Sequence, residues 1–265
     1  MPVARALCYT ARMHLLFAGL LAFTAGTVFG IFGAGGSILL VPILVYVLEV
    51  PVKTALGMSL FILMCTGLLA ALAHARSMNV RWGIGIRWAI AGIVGAYAGG
   101  RVAEFIPEGV LLTIFAVVVV AAALFMIFRR VPYASGEVEH VPPLRAILVG
   151  AVLGFLTGVI GVGGGFLLVP ALVLVCGMDV KHAIGTSLLI IAINSLGGFL
   201  GFAAHQTFPW PLTLTIVGFN SVGSLLGERL SKPLPAHRLR PAFGVFLLLV
   251  GTVLVAQNVI GLLKH

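Results

Sequence analysis

The sequence predicts an all-α polytopic membrane protein of two inverted repeats, each a glycine-broken first segment plus three further helices, about 8–10 membrane segments in all. Three observations lead there. Of 265 residues, 61% are hydrophobic and 9% charged, against about 25% charged in a soluble domain. Several apolar runs approach the ~18 residues that read as a spanning helix. Finally, Gly30-Ile31-Phe32-Gly33-Ala34-Gly35-Gly36-Ser37-Ile38-Leu39-Leu40-Val41-Pro42 recurs as Gly158-Val159-Ile160-Gly161-Val162-Gly163-Gly164-Gly165-Phe166-Leu167-Leu168-Val169-Pro170. A duplicated break in apolar sequence points to the binding site of a secondary transporter.

Charge and cysteine content narrow the partners. The net charge is +9, but the basic residues are spread over short connections, as the positive-inside rule expects. No block of five like charges marks a nucleic-acid arm, so the bilayer and not nucleic acid is the expected partner. Cys8, Cys65 and Cys176 lack metal or redox spacing, and neither a metal nor a cofactor is implied. Arg5 and Arg12 precede an apolar run, as in a signal peptide, yet the run continues far beyond one and is expected to be retained.

Residues 1–12 read as a short basic tail. Met13 to Leu48 is 36 nearly uninterrupted apolar residues, about 54 Å as a helix against a hydrocarbon core of about 30 Å. Its central glycines are where two short spans or a re-entrant hairpin would break. Thr54 to Ala75 is the second segment. His74 to Arg87 reads as an interfacial connection with Trp82 as anchor. Trp88 to Gly100 is a third segment rich in small residues, Arg101 to Glu108 a loop, and Val110 to Phe128 the fourth. Residues 129–143 form a polar linker between a first repeat (1–128) and a second (144–265).

The halves align at a constant offset of 128, with 18 of 33 pairs identical from Gly30 to Ile62. Charge placement suggests their relative orientation. If the broken segment crosses an even number of times, 11 basic residues fall on one side and 5 on the other; a single crossing gives 9 and 7. The first split fits inverted halves with both termini outside.

The candidate site begins at the breaks: Gly33, Gly35, Gly36, Ser37 and Pro42 in the first, and Gly161, Gly163, Gly164, Gly165 and Pro170 in the second. A helix end inside the membrane leaves N–H groups unpaired and partly positive, which makes an anion site without a cationic side chain. Close helix packing through small residues is the alternative. Ser59 and Thr66, and their mates Ser187 and Asn194, lie seven apart, two helical turns, on one face. Thr186 and Ser195 add donors; interhelical or local backbone bonding is the alternative for this set. Asn220, Ser221 and Ser224 pair with the apolar Gly92, Ile93 and Ala96, which suggests a site lined more by the second half, or packing. Lys53, Lys181 and His182 are candidates for a gate or proton relay, with interfacial snorkelling as the alternative. His74 and His205, near segment ends, are expected to be solvated at the interface, with a proton relay as the alternative.

No enzyme is expected. All seven carboxylates lie in or beside connections, and no Ser-His-Asp, His-Glu-x-x-His or paired-Cys pattern occurs. The glycine runs also lack the Lys-Ser/Thr and strand context of a phosphate loop.

The two Gly-x-x-Gly-x-Gly-Gly runs, each followed by apolar residues and Pro, resemble the sulfite exporter TauE/SafE family. Half two matches at Gly158, Gly161, Gly163, Gly164, Gly165 and Pro170, while half one departs with Ser37. The Lys-x-x-x-Gly-x-Ser continuation stands at Lys53, Gly57 and Ser59, and at Lys181, Gly185 and Ser187. The resemblance implies a bacterial-type inner-membrane permease for sulfite, sulfonates or related organosulfur anions. The expectation is therefore alternating-access transport of a small anion held at the two breaks. A non-transporting membrane scaffold, with glycines used only for packing, is the alternative. The coupling ion stays open, a proton among the candidates, and a homo-oligomer is compatible with the sequence.

Overall fold

A computed structural model describes residues 2–32, 36–128, 142–231, 245, 248–249 and 251–252. Among these there are nine α-helices, one π-helical turn and no strand. Gly33 and Gly35, most of the expected linker, and the basic residues Arg129, Arg130, Lys232, Arg238, Arg240 and Lys264 lie outside the described residues.

Helix α1 (Pro2–Phe32) includes the stretch expected to be a tail, so the basic N-terminus is helical. After the first break α2 (Ser37–Pro42) passes into a π-helical turn, Ile43–Val47. Pro42 has no N–H to give and its ring crowds the preceding turn, which is where a helix loosens into wider hydrogen bonding. Leu48 N–H then reaches back five residues to Ile43 O at 3.0 Å. Next come α3 (Val52–Arg76), α4 (Trp82–Ala103) and α5 (Glu108–Phe128). The connection expected at 74–87 shrinks to 77–81, because Trp82 already opens α4.

The second half gives α6 (Pro143–Ile160), α7 (Gly165–Cys176), α8 (Val180–Ala203) and α9 (Trp210–Ser231). At the offset of 128, the start of α7 falls on that of α2, α8 on α3, and α9 on α4. Two of these helices, over Val52–Arg76 and Lys181–Ala203, are long and apolar enough to cross a membrane unaided.

The close contacts run across the halves. On α1 and α9, Gly26 lies against the backbone of Asn220, and Gly30 against Ser224 and Glu228. Their mates α6 and α4 repeat the arrangement: Gly154 lies against Gly92 and Gly158 against Ala96. In both pairs residue numbers rise together, so the helices are parallel. A Cβ on Gly26 or Gly154 would run into a facing backbone carbonyl. Small residues here bring backbones close enough for dispersion to hold helices together in lipid.

Helices α3 and α8 cross at the centre in opposite directions. Gly57 meets Phe202, Leu60 meets Gly198, and Gly67 meets Leu188 and Ala192. Helix α3 therefore starts at what we term the Lys53 end and finishes at the Asp179 end. The hairpin of α6 and α7 enters and leaves at the Asp179 end, with its tip reaching α3. Helix α9 runs with α3: Trp210 packs on Phe61, and Ser221 meets Thr66.

The two ends are built differently. At the Lys53 end Phe61, Phe199, Phe208 and Trp210 form a ring cluster, with neighbouring centroids 5.1–5.3 Å apart. Beside it Thr54 donates to Gln206 at 3.0 Å, and Gln206 donates to the Glu104 carboxylate at 3.1 Å. Arg101 bonds His205 at 3.0 Å. The mates of the first three rings are Leu189, Ala71 and Val80, so the Asp179 end has no such plug among the described residues.

Candidate functional site

The second break is a left-handed turn. Gly161, Gly163 and Gly164 have φ of 70°, 67° and 60°. An L side chain costs about 1–2 kcal/mol in this region, so glycine is required. Gly161 caps α6, its N–H donating to Thr157 O at 3.0 Å, and Gly164 is the N-cap of α7. Leu167 and Leu168 N–H both turn back to Gly164 O at 3.0 Å. The N–H groups of Gly165 and Phe166 start the 12-residue α7 with no intrahelical carbonyl behind them, at the positive end of the dipole. The first break is not a copy. Gly36, mate of Gly164, has φ −68° and caps α2 in right-handed geometry. Both glycines nonetheless fold onto the preceding helix one turn back, Gly36 against Phe29 and Gly164 against Thr157.

Gly163 marks the middle of the molecule. A Cβ there would stand 2.9 Å from Leu63 Cδ1 and 3.0 Å from Ile191 Cγ2, which are repeat mates at the midpoints of α3 and α8. It would also stand 3.5 Å from Ser195 Oγ. Ser59 ties the turn to the other half: its hydroxyl, 2.8 Å from Leu56 O, also meets Gly161 O. Ser195 and Asn194 are fully buried, and Ser195 Oγ, Asn194 Nδ2 and Asn194 Oδ1 have no partner. The Asn194 amide fills the space left by the missing side chain of Gly92 on α4. An unpaired buried polar group costs about 1–3 kcal/mol. The positively polarised N–H groups that open α7 thus lie near the unpaired Ser195 hydroxyl, while the unpaired Asn194 amide, one residue earlier on α8, faces Gly92 of α4.

The other expected site residues lie elsewhere. Thr66 bonds Ser221 across α3 and α9 at 3.3 Å. Thr186 accepts from Arg81 N–H at 3.0 Å and caps α4 at the Asp179 end. Ser187 donates to Ile184 O in its own helix at 2.8 Å. Ser37 is buried in the first turn of α2, while Pro42 and Pro170 are half-buried about one and a half turns beyond the breaks. Lys53 donates to Glu104 O and so holds the end of α4. Lys181 is exposed, and His182 pairs with Asp179, the N-cap of α8.

One expectation is corrected. His74 is buried at 6% exposure instead of solvated, whereas His205 is exposed and bonds Arg101. Glu228, in the last turn of α9 beside a connection, is buried at 6% exposure, which the sequence did not indicate. Extending the Asn220–Ser224 spacing by four residues would have found it.

The family model described as "Sulfite exporter TauE/SafE" matches residues 18–254. The chain belongs to the TauE/SafE family. This TauE/SafE protein is 32% identical over 244 residues to a "Probable membrane transporter protein" of Xylella fastidiosa, covering 88% of this chain and 92% of that one. A Methanocaldococcus jannaschii protein of the same description is 30% identical over 195 residues, 71% of this chain and 72% of its own. Probable membrane transporter protein YdhB of Bacillus subtilis is 25% identical over 240 residues, 89% and 98% of the two chains. No solved structure matches. The TauE/SafE protein is a membrane-embedded transporter, not an enzyme.

Proposed function

We propose that this protein is a multi-pass permease of the bacterial inner-membrane type that carries a small sulfur-containing anion, sulfite or a sulfonate, by alternating access. The anion is held by backbone N–H groups at the glycine breaks. The observation that carries this is the left-handed turn opening α7 at the midpoints of α3 and α8, beside the unpartnered Ser195. Helix N-termini with free N–H groups bind anions, and half-helices near the midplane do so in transporters.

Residues 1–128 and 144–265 act in this reading as two inverted repeats, joined by the 129–143 linker. Support comes from α3 and its mate α8, which run antiparallel, so the operator relating them is an axis across the helices. Among the described basic residues, Arg76, Arg81, Arg87, Arg145, Lys181 and Arg229 fall at the Asp179 end, against Arg5, Arg12, Lys53 and Arg101 at the other. The positive-inside bias then favours the Asp179 end as the cytoplasmic one in this reading. Alternating access fits the unequal ends, with the ring cluster closing the outer side.

Two tests apply. A thermal-shift screen of sulfite, sulfate, thiosulfate, taurine and sulfoacetate should find an anion that raises Tm, because a ligand bound to the native state stabilises it; flux of that anion into proteoliposomes should follow. Protein that moves none of them but co-purifies stoichiometrically with a partner would support a scaffold instead. For topology, cysteines replacing the exposed Met78 and His205, which stand in equivalent connections of the two halves, should react with an impermeant maleimide from opposite membrane faces. Labelling from one face would defeat the inverted arrangement.

Asn194→Leu separates site from packing. Removing an unpaired buried amide at similar volume should stabilise the protein by about 1–3 kcal/mol. Flux should nonetheless fall at least about tenfold, the effect of about 1.4 kcal/mol on the barrier. A stabilised variant with unchanged flux would leave Asn194 no role in transport.

A further inference from the structure

The 16 lysines and arginines leave the middle of the apolar runs free of positive charge. None stands between Lys53 and Arg76, between Arg145 and Lys181, or between Lys181 and Arg229. Leu63, Gly163 and Ser195 lie inside these intervals, and Gly163 is 18 residues from each end of its own. The fold keeps that separation. Arg145, at the start of α6, is about 24 Å of helix from Gly161. Along α3, Leu63 is about 15 Å from Lys53 and about 20 Å from Arg76. Lys53 is committed to the Glu104 carbonyl, and Arg76 and Lys181 are exposed. Within about two turns of Leu63, Gly163 or Ser195 along their own segments, the titratable group is the half-buried Cys65 thiol. From α4, the exposed Arg87 and Tyr97 stand on either side of Gly92.

What the turn offers an anion is therefore dipolar. The N–H groups that open the 12-residue α7 carry about half a positive charge. The fully buried, unpartnered Ser195 Oγ stands 3.5 Å from where a Gly163 Cβ would be. Even a second helix end of the same strength would bring the total to about one charge. The cost of taking an ion out of water grows as the square of its charge, whereas attraction to fixed dipoles grows in proportion to it. A second negative charge thus about quadruples the cost and only about doubles the attraction. A guanidinium or ammonium beside the ion makes up that difference elsewhere, and the turn has neither among the described residues. We propose that the central turn selects its anion by charge number. It takes monoanions, namely the hydrogensulfite form of sulfite and sulfonates with no second acidic group. It rejects dianions, among them sulfate, thiosulfate and fully ionised sulfite. This rests on the reading of the turn as an anion site and adds a valence to it.

Isethionate and sulfoacetate test the filter. Both carry a sulfonate on a two-carbon chain of similar size, but isethionate ends in a hydroxyl and sulfoacetate in a carboxyl. At about pH 8 an ordinary carboxyl is ionised, so the pair differs by one charge. In proteoliposomes of the full chain at zero membrane potential, isethionate should then enter at least about tenfold faster than sulfoacetate. At fixed total sulfite, flux should fall as pH rises through neutrality, where hydrogensulfite loses its proton. Isethionate, ionised throughout, should hold level over the same range, which removes titration of the protein as the cause. Equal flux of the pair, or sulfite flux that rises with pH, overturns the filter and leaves the anion site standing. If none of the three moves or raises Tm, the transport reading fails and takes the filter with it. Ser195→Ala locates the filter: the KM for isethionate should rise at least about fivefold, with kcat less affected. An unchanged KM would put the selection away from the turn and overturn the assignment.

Discussion

Gly163→Leu is expected to abolish anion flux in proteoliposomes while the protein still inserts, purifies as a single species and keeps its helix content. The substitution acts where the fold has slack and the proposed site has none. Its backbone cost is that of an L residue at φ 67°, about 1–2 kcal/mol. The atoms met first are methyl ends of Leu63 and Ile191, at 2.9 and 3.0 Å, which a rotamer change can move aside. The isobutyl group would then occupy the midpoint in front of the α7 N-terminus, between the N–H donors and Ser195. Loss of about 100-fold or more corresponds to about 2.7 kcal/mol on the transport barrier. The proposal extends the same expectation to Gly35→Leu at the first break. Wild-type flux in a folded Gly163→Leu protein would remove the turn from the site.

The opposite outcome is expected of Gly154→Leu. Here the added Cβ meets backbone, not side-chain ends: the Gly92 carbonyl oxygen first, then Gly92 Cα at 2.6 Å. Nothing can rotate away, so α4 and α6 must separate along their length. Overpacking typically costs about 1–3 kcal/mol, and loss of a whole backbone-to-backbone seam should exceed that range. The expected result is little folded protein at all, read as aggregation on size exclusion and loss of a cooperative thermal transition. Gly218→Leu supplies the control, because a Cβ at Gly218 meets nothing within 4 Å. A well-folded Gly154→Leu protein would mean that the seam is looser than its geometry states. Together the substitutions separate two uses of glycine that share one composition, a turn at a ligand and a track for a neighbouring helix.

Much of this was legible in the sequence because it depends on local chemistry. Low charge and long apolar runs dictate helices in lipid, and the constant offset carries boundaries such as Val52 and Val180 from one half to the other. Glycine density at 161–164 marks a backbone turn because only glycine sits comfortably at those φ values. What stayed hidden depends on partners far away in the chain. Lys53 holds the carbonyl of Glu104, and Thr186 receives the N–H of Arg81, so each caps a helix that its own neighbourhood does not reveal. Glu228 reads as standing beside a connection, because Arg229 and the polar stretch after it follow at once, and nothing local shows its burial. Burial comes from α1, whose Gly30 lies against its backbone. Ser37, where the second half has Gly165, did register as a departure, and the two breaks do differ in hand at the preceding glycine.

The interlacing of the halves bears on how the chain is made. Helix α1 finds its closest neighbour in α9, which begins 178 residues after α1 ends. At about 5–20 residues per second of synthesis, the glycine track of α1 waits roughly 10–35 s in the membrane before its counterpart leaves the ribosome. Through that interval the nascent N-terminal half has its docking faces uncovered, so insertion and assembly are separate events in time. The insertion machinery, or lipid itself, has to hold the first half in a receptive state until the second arrives.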